Sequence, residues 1–449
     1  MLEFSAPGEP GYDTATRVFN LTAPARPDLA VTVRSVAEVR AAVGRAAASG
    51  LPVRVQSTGH ASAAVRPIDG GLLIQTRLDG EVTVDPERRV AVIPAGTSWG
   101  AVVPAAAAHG LAAPHGSSEL VGAVGYLLRG GLSFYGRKTG LAVNSVRAIE
   151  LVTADGAHRR VDAVTDPELF WALRGGGGGF GVVTSIEVEL FSAASVISGG
   201  SYWRAAHAEE LMSIWRAWSL TAPDEATTSV RVMNLPPAHD VPPVLAEGPV
   251  FCVDGVFLGS VGEQQYPELL DALRAVADPV LDHWAPGSTA DVLEAHMDPG
   301  EPMPFVGDHF LLSEIGSDGV LAYLDAVGGR SPLVAAGLRQ LGGAFARPVS
   351  DGGVLDHFDA AYAYLGAGIP DGPSAEAAIR ECNAKVRAAL APWDTGSTAP
   401  SLIEAFSQPQ GHLSASQVAA VDVVRAAVDP DGLFRGDVMP GATALWASS

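Results

Sequence analysis

Apolar positions along the 449-residue chain fall mostly into short runs broken by Gly, Pro and Asp, and helical spacing takes over in only a few stretches. The run at 29–33 reads as a strand, and Ser35-Val-Ala-Glu38 then opens a helix as a capping box, with Val36, Val39, Ala42 and Val43 on one face and Gly50 as the stop. Runs at 52–55, 72–74, 82–84 and 90–93 predict further strands. Thr97 is expected to cap a second, alanine-rich helix reaching His109, with Gly110 beyond its end. Asp166 caps and Pro167 starts a short helix through Leu173, after which a glycine run beginning at Gly175 leads into a strand at 182–190. From about 196 to 400 the strands lengthen, as at 249–257, and alternate with helices such as 264–277 and 317–327; the tail holds a helix from 416 and the turn Asp429-Pro-Asp-Gly432. The pattern is that of an α+β chain, and no repeat of 20–50 residues stands out.

The length predicts two to three domains, at roughly 100–200 residues each. Net charge of −21 repels phosphate backbones and anionic lipid, which argues against nucleic acid or a membrane as partner and suits a cationic or neutral substrate slightly better than an anionic one. Cys252 and Cys382 are too few for a disulfide framework or a cysteine metal cage, so both are expected to be reduced, and no metal site is predicted. Acidic residues from Glu3 to Asp13 leave no place for a signal peptide, and no run of about 18 apolar residues occurs, so a cytoplasmic protein is expected.

The 51 glycines are unevenly placed, with dense stretches at 114–140 and 166–184. A third small-residue segment, Gln56-Ser-Thr-Gly-His60-Ala-Ser62, follows the strand at 52–55; its backbone N–H groups could converge on an anion, or the segment is a surface turn with a structural histidine. A nicotinamide or flavin Rossmann fingerprint fails, because no G-x-G-x-x-G joins a strand to a helix with an acidic residue about 20 positions on. Walker A and G-x-S-x-G sequences are also missing.

Taken in order, these segments resemble the berberine-bridge-enzyme-like branch of the vanillyl-alcohol oxidase and p-cresol methylhydroxylase superfamily of covalent-flavin oxidases. Arg54-Val-Gln-Ser57-Thr58-Gly59-His60 is similar to that family's arginine-x-serine-glycine-glycine-histidine loop, with Thr58 in place of a second glycine. Ser117-Ser118-Glu-Leu-Val121-Gly122-Ala-Val-Gly125, Arg129-Gly130-Gly131 and Arg137-Lys-Thr-Gly-Leu-Ala-Val-Asn144 are similar to its isoalloxazine and pyrophosphate segment. Residues 166–184, 338–344 and 429–435 resemble its later signatures. The resemblance implies FAD bound covalently through His60. It also implies single attachment, since Ser118 stands where bicovalent members carry cysteine. Cofactor contacts are expected from the loop residues named above together with Ser62, Gly181 and Val183. Glycines fit this demand, because a dinucleotide lies against main chain where Cβ atoms would block approach. Departures are Arg129 for a first glycine, Ser133 for a later one and Asn144 for an aspartate; Arg129 either meets a phosphate or points outward.

The resemblance further implies a PCMH-type FAD-binding domain at 1–195, a substrate domain at 196–404 with an antiparallel sheet flanked by helices, and a segment at 405–449 returning to the first. The expected activity is oxidation of an alcohol, sugar or amine-type small molecule by hydride transfer to flavin N5, with dioxygen as acceptor, in the setting of secondary metabolism. Candidate bases are Glu404, then Tyr362, with Tyr135 and His357 behind them; an amine substrate needs none. No tyrosine occurs in the stretch 401–406, where relatives carry a tyrosine-x-asparagine strand. Rival readings are a dehydrogenase or biosynthetic cyclase on the same scaffold, and a degenerate flavoprotein that only sequesters a small molecule.

Overall fold

Three of the early apolar runs pair with one another: Leu29–Val33 and Val53–Gln56 lie parallel on either side of Leu72–Thr76. A parallel pair needs a crossover, and the helix Val36–Ser49 supplies the first one, burying Val39, Ala42, Val43 and Ala46. Its ends are built as the residues predict: Ser35 Oγ accepts the Glu38 N–H at 3.3 Å and Gly50 adopts φ +63°. Glu38, however, reaches back to the N–H of Arg34 at 2.6 Å and not to that of Ser35. The structure is a computed structural model and describes residues 2–67, 69–193, 195–239, 241–329 and 331–435.

Thr97 does not cap the second helix. Ser98 is the N-cap of Trp99–Ala107 and makes no side-chain bond, because the first helical amides already have partners: Val121 O takes Trp99 N–H at 3.0 Å and Glu119 O takes Gly100 N–H at 2.9 Å. The start of this helix is thus satisfied by the glycine-rich segment that follows it.

A second, five-stranded antiparallel sheet runs in the order Thr83–Asp85, Val90–Pro94, Val182–Glu189, Val146–Val152, His158–Asp162. A larger antiparallel sheet is built wholly from residues beyond 195, in the order Leu281–Asp282, Val196–Arg204, Val250–Leu258, Ala226–Met233, Ala335–Gln340, Tyr362–Gly368, Val306–Leu312, with Ala285–Gly287 also pairing Val196–Arg204. One face of this sheet is covered by the helices Ala208–Ser219, Gly259–Arg274, Gly316–Val327 and Pro373–Leu390, which bury Trp215, Leu270, Tyr323 and Val386 against Val230, Val253 and Leu338. Strand alternation sends the intervening residues to the opposite face.

That opposite face meets the glycine-rich segment. Leu132, Leu141 and Val143 share a core with Leu311, Leu341 and Phe345, and Arg137 crosses the seam to donate to the carbonyls of Ala226 and Ala222, both at 2.8 Å, and of Leu341. The tail returns to the early part of the chain. Helix Ala415–Val428 places Arg425 against the carbonyls of Gly176 (2.8 Å) and Gly178 (3.0 Å), and Leu433 O accepts Val53 N–H at 2.7 Å. Residues 436–449 of the returning segment lie outside the described residues. Cys252 and Cys382 are free thiols. Among the described residues no helix is long and apolar enough to cross a membrane.

Candidate active site

The loop after Val53–Gln56 turns at Gly59, whose φ of +74° and position 2.6 Å (as a built Cβ) from Val18 Cα leave no room for a side chain. His60 follows directly and stacks flat on Phe19. Thr58 Oγ1 lies 3.1 Å from His60 Nδ1 and accepts the Gly122 N–H at 3.2 Å, so the residue standing in place of a glycine ties this loop to the glycine-rich segment. A Cβ at Gly122 would collide with Ser57 Oγ, which is why those two backbones approach so closely.

Around this junction several buried polar atoms have no hydrogen-bond partner: His60 Nε2, Ser62 Oγ, His115 Nε2, Tyr126 Oη and Asn144 Oδ1. Buried polar groups are almost always satisfied in folded proteins, so a row of orphans along two close-packed loops marks a ligand's place. Burial pulls the imidazoles of His60 and His115 down to about 4 and keeps them neutral. Ser117, Ser118 and Val121 lie half-buried on the same segment, with Ser118 Oγ accepting Leu120 N–H at 3.3 Å. Gly130 and Gly131, at φ +91° and +69°, accept the amides of Val143 and Ala142 and so bring Asn144 beside the double glycine. Gly181 (φ +145°) packs on the Val152 carbonyl, and Val183 pairs with Leu151. Two expected contact residues sit differently. Arg54 is buried beneath the loop, donating to Arg66 O at 3.2 Å, and Gly125 is exposed with nothing within 4 Å of a built Cβ.

The candidate bases separate clearly. Glu404 lies on the face of the large sheet away from the helices, its Cγ against Gly307 where a Cβ would come within 2.9 Å. Burial pushes its carboxyl up to about 8, against the downward pull of Arg129. Its stretch is not a strand: after the 3₁₀ turn Pro400–Leu402 the chain is irregular, held by Gln408, whose Oε1 accepts Glu404 N–H at 3.2 Å and whose amide donates to His309 O. His309 in turn bridges Tyr364 O (2.5 Å) and Ala399 N (2.8 Å). His412, also near Arg129, has both ring nitrogens buried without a partner.

Tyr362 lies on the helix-covered face, its hydroxyl 3.0 Å from Ser219 Oγ and its ring 5.5 Å from Trp215, on the opposite side of the sheet from Glu404. Tyr135 is fully buried with its hydroxyl on Thr289 O at 3.4 Å, and burial drives its phenol far above the ordinary value. His357 is partly exposed and bonded to Asp356 at 2.6 Å.

Several polar residues on the face of the large sheet away from the helices belong to no motif. Arg231, Asp254 and Arg339 are charges inside apolar strands, at alternating positions facing away from the helices. That alternation is the signal by which the sequence alone could have shown them.

Known proteins match part of the sequence and nearly all of the fold. Residues 27–162 match the FAD binding domain family. The chain is 34% identical over 208 residues to (R)-6-hydroxynicotine oxidase of Paenarthrobacter nicotinovorans (46% of this chain, 45% of that protein). It is 33% identical over 185 residues to xylooligosaccharide oxidase of Thermothelomyces thermophilus (40% and 37%). The aligned stretches thus span less than half of each relative. By structure it superposes on 6-hydroxy-D-nicotine oxidase of Arthrobacter nicotinovorans with a TM-score of 0.83, at 24% identity, covering 99% of this chain and 98% of that one. Residues 27–162 thus form an FAD binding domain. The chain's fold along nearly the whole length is that of 6-hydroxy-D-nicotine oxidase.

Proposed function

We propose that this protein is an FAD-dependent oxidase that carries its cofactor covalently on His60 and oxidises a small alcohol, sugar or amine in the cleft between the glycine-rich segment and the large sheet. The observation that carries the reading is His60 itself. Its ring is clamped by Phe19 and Thr58, burial keeps it neutral, and Nε2 is buried with nothing to bond to, in a loop locked by Gly59. FAD supplies the two-electron acceptor chemistry, which no side chain here can provide. Segments 57–62, 117–131 and 181–183 would hold it through main-chain N–H groups and the unpaired atoms named above. Glu404 takes the proton from the substrate O–H or N–H; held near 8 by burial, it is a base matched to mildly alkaline conditions. That two relatives are a 6-hydroxynicotine oxidase and a xylooligosaccharide oxidase supports the reading as an oxidase, for which dioxygen is the acceptor. On this reading the FAD-binding domain covers 1–195, the substrate domain 196–404, and the remainder returns to the first.

Acid precipitation tests it. The pellet should be yellow, and a His60→Ala variant should give a colourless one; a colourless wild-type pellet would remove the covalent assignment. Peroxide release over a panel of alcohols, sugars and cyclic amines then separates an oxidase from a dehydrogenase or a binding protein.

A further inference from the structure

The cleft face of the large sheet carries a polar row fixed by strand register. Asp254 is paired across to Ser229, and Ser229 to Arg339, so the three side chains stand next to each other on adjacent strands. Two residues further along, Arg231 sits opposite Cys252. Asp254 is fully buried and already compensated: Arg231 Nη2 approaches its Oδ2 at 2.5 Å and His296 Nδ1 at 3.0 Å. Arg339 has no such partner. It forms no ion pair within 4 Å with any described residue; Nη1 donates to Leu132 O at 3.1 Å and the guanidinium lies 4.2 Å from the Phe134 ring centre. The Nε/Nη2 edge makes no hydrogen bond to a described residue. Beside it, Ser229 Oγ and Asp254 Oδ1 are buried without partners, and each residue is 2% exposed or less.

Asp254 and Asp298 act on this guanidinium only from beyond ion-pair contact, and a guanidinium desolvated at a seam with no counter-ion touching it is costly unless something anionic meets it. The edge left open is the side-on fork that matches a carboxylate with two parallel hydrogen bonds. Leu132, which accepts from Nη1, and Phe134, whose ring the guanidinium lies over, come from the segment that follows the double glycine, so Arg339 lies where the glycine-rich segment and the sheet meet.

We propose that Arg339 selects the substrate, which carries a carboxylate or an equivalent anionic oxygen group seated on the Nε/Nη2 edge, with Ser229 as an added hydroxyl contact. The inference rests on the reading of this seam as the substrate side of the flavin cleft. It reverses the preference for cationic or neutral substrates that the net charge of −21 suggests, because the local field at a buried site is set by its nearest groups.

The experiment uses the flavin-loaded protein and three matched pairs, acetate and acetamide, benzoate and benzamide, phenylacetate and phenylacetamide, titrated while the flavin absorbance is followed. At least one acid should bind tenfold or more tightly than its amide. Arg339→Gln should erase that preference, and Arg339→Lys should restore only part of it. Equal binding within every pair, or a preference that survives Arg339→Gln, overturns the proposal. A third result also overturns it: if Arg339→Gln lowers the flavin potential and leaves the acid preference intact, the guanidinium balances the cofactor and not the substrate. A colourless protein would count against the flavin reading alone, since the same pairs are then compared by calorimetry. Should Arg339→Gln fail to fold, Ser229→Ala and Arg339→Lys carry the comparison, each expected to narrow the gap between acid and amide.

Discussion

The imidazole of His60 lies flat on the ring of Phe19, with centroids 3.9 Å apart and planes 12° from parallel. The stack holds the histidine in one orientation while Thr58 engages Nδ1, so only Nε2 is left to meet a ligand. Phe19→Leu keeps an apolar side chain in a nearly buried place but removes the stack. The expected outcome is a protein of similar melting temperature that retains a smaller fraction of flavin after acid precipitation, measured by absorbance of the pellet and supernatant.

Glu404 makes pH the informative variable. Its folded value of about 8 stands above the ordinary 4.5, so the folded protein binds more protons between those limits. The neutral carboxyl's contribution to stability is complete below 4.5 and is lost as the pH rises to about 8. Thermal denaturation from pH 5 to 8 should therefore show the wild type losing stability relative to Glu404→Gln. If the carboxylate is the base, kcat/KM rises with pH up to about 8 in the wild type, while the variant falls by about 10²–10⁴ and loses that limb.

Gly59 and Gly125 belong to the same family of motif glycines, yet their surroundings predict opposite results. Gly59→Ala forces a Cβ to 2.6 Å from backbone at φ +74°; the left-handed conformation alone costs about 1–2 kcal/mol, and the collision adds to it. Gly125 sits in the helix Ala123–Leu128 with open space around it, and Gly125→Ala should stabilise by about 0.5–1 kcal/mol. Paired melting curves check both signs.

Arg137 holds the seam through the carbonyls of Ala222, Ala226 and Leu341. Arg137→Met takes the donor away from these carbonyls and from that of Pro223; the buried acceptors of Ala226 and Leu341 cost about 1 kcal/mol or more each. Denaturant unfolding of this variant should shift to a lower midpoint and separate into two transitions as the glycine-rich part and the large sheet come apart.

Much of the local architecture was legible in the residues. Asp166 and Pro167 start their helix, with Asp166 accepting Leu169 N–H at 3.3 Å, because cap chemistry acts over three or four positions. Gly50 ends its helix for the same local reason. The loop at 57–62 and the glycine concentration at 114–131 could be found by order and spacing, since a backbone that must approach another backbone needs glycine whatever lies elsewhere.

Thr97 shows where such reasoning stops: its cap was supplanted by the carbonyls of Glu119 and Val121, some twenty residues on. Tyr362 shows it again, because strand period tells that alternate residues share a face but not which face the helices cover. The sequence by itself determined the caps at Ser35 and Asp166, the stop at Gly50 and the places where glycine is dense, which depend on neighbours in the chain. Only the tertiary structure decided that Tyr362 packs among helices, that Glu404 packs on Gly307 at the other face of the sheet, and that Asp254, Ser229 and Arg339 form one row. Those placements depend on the register of strands separated by up to about a hundred residues, and register is set by which faces the whole core buries.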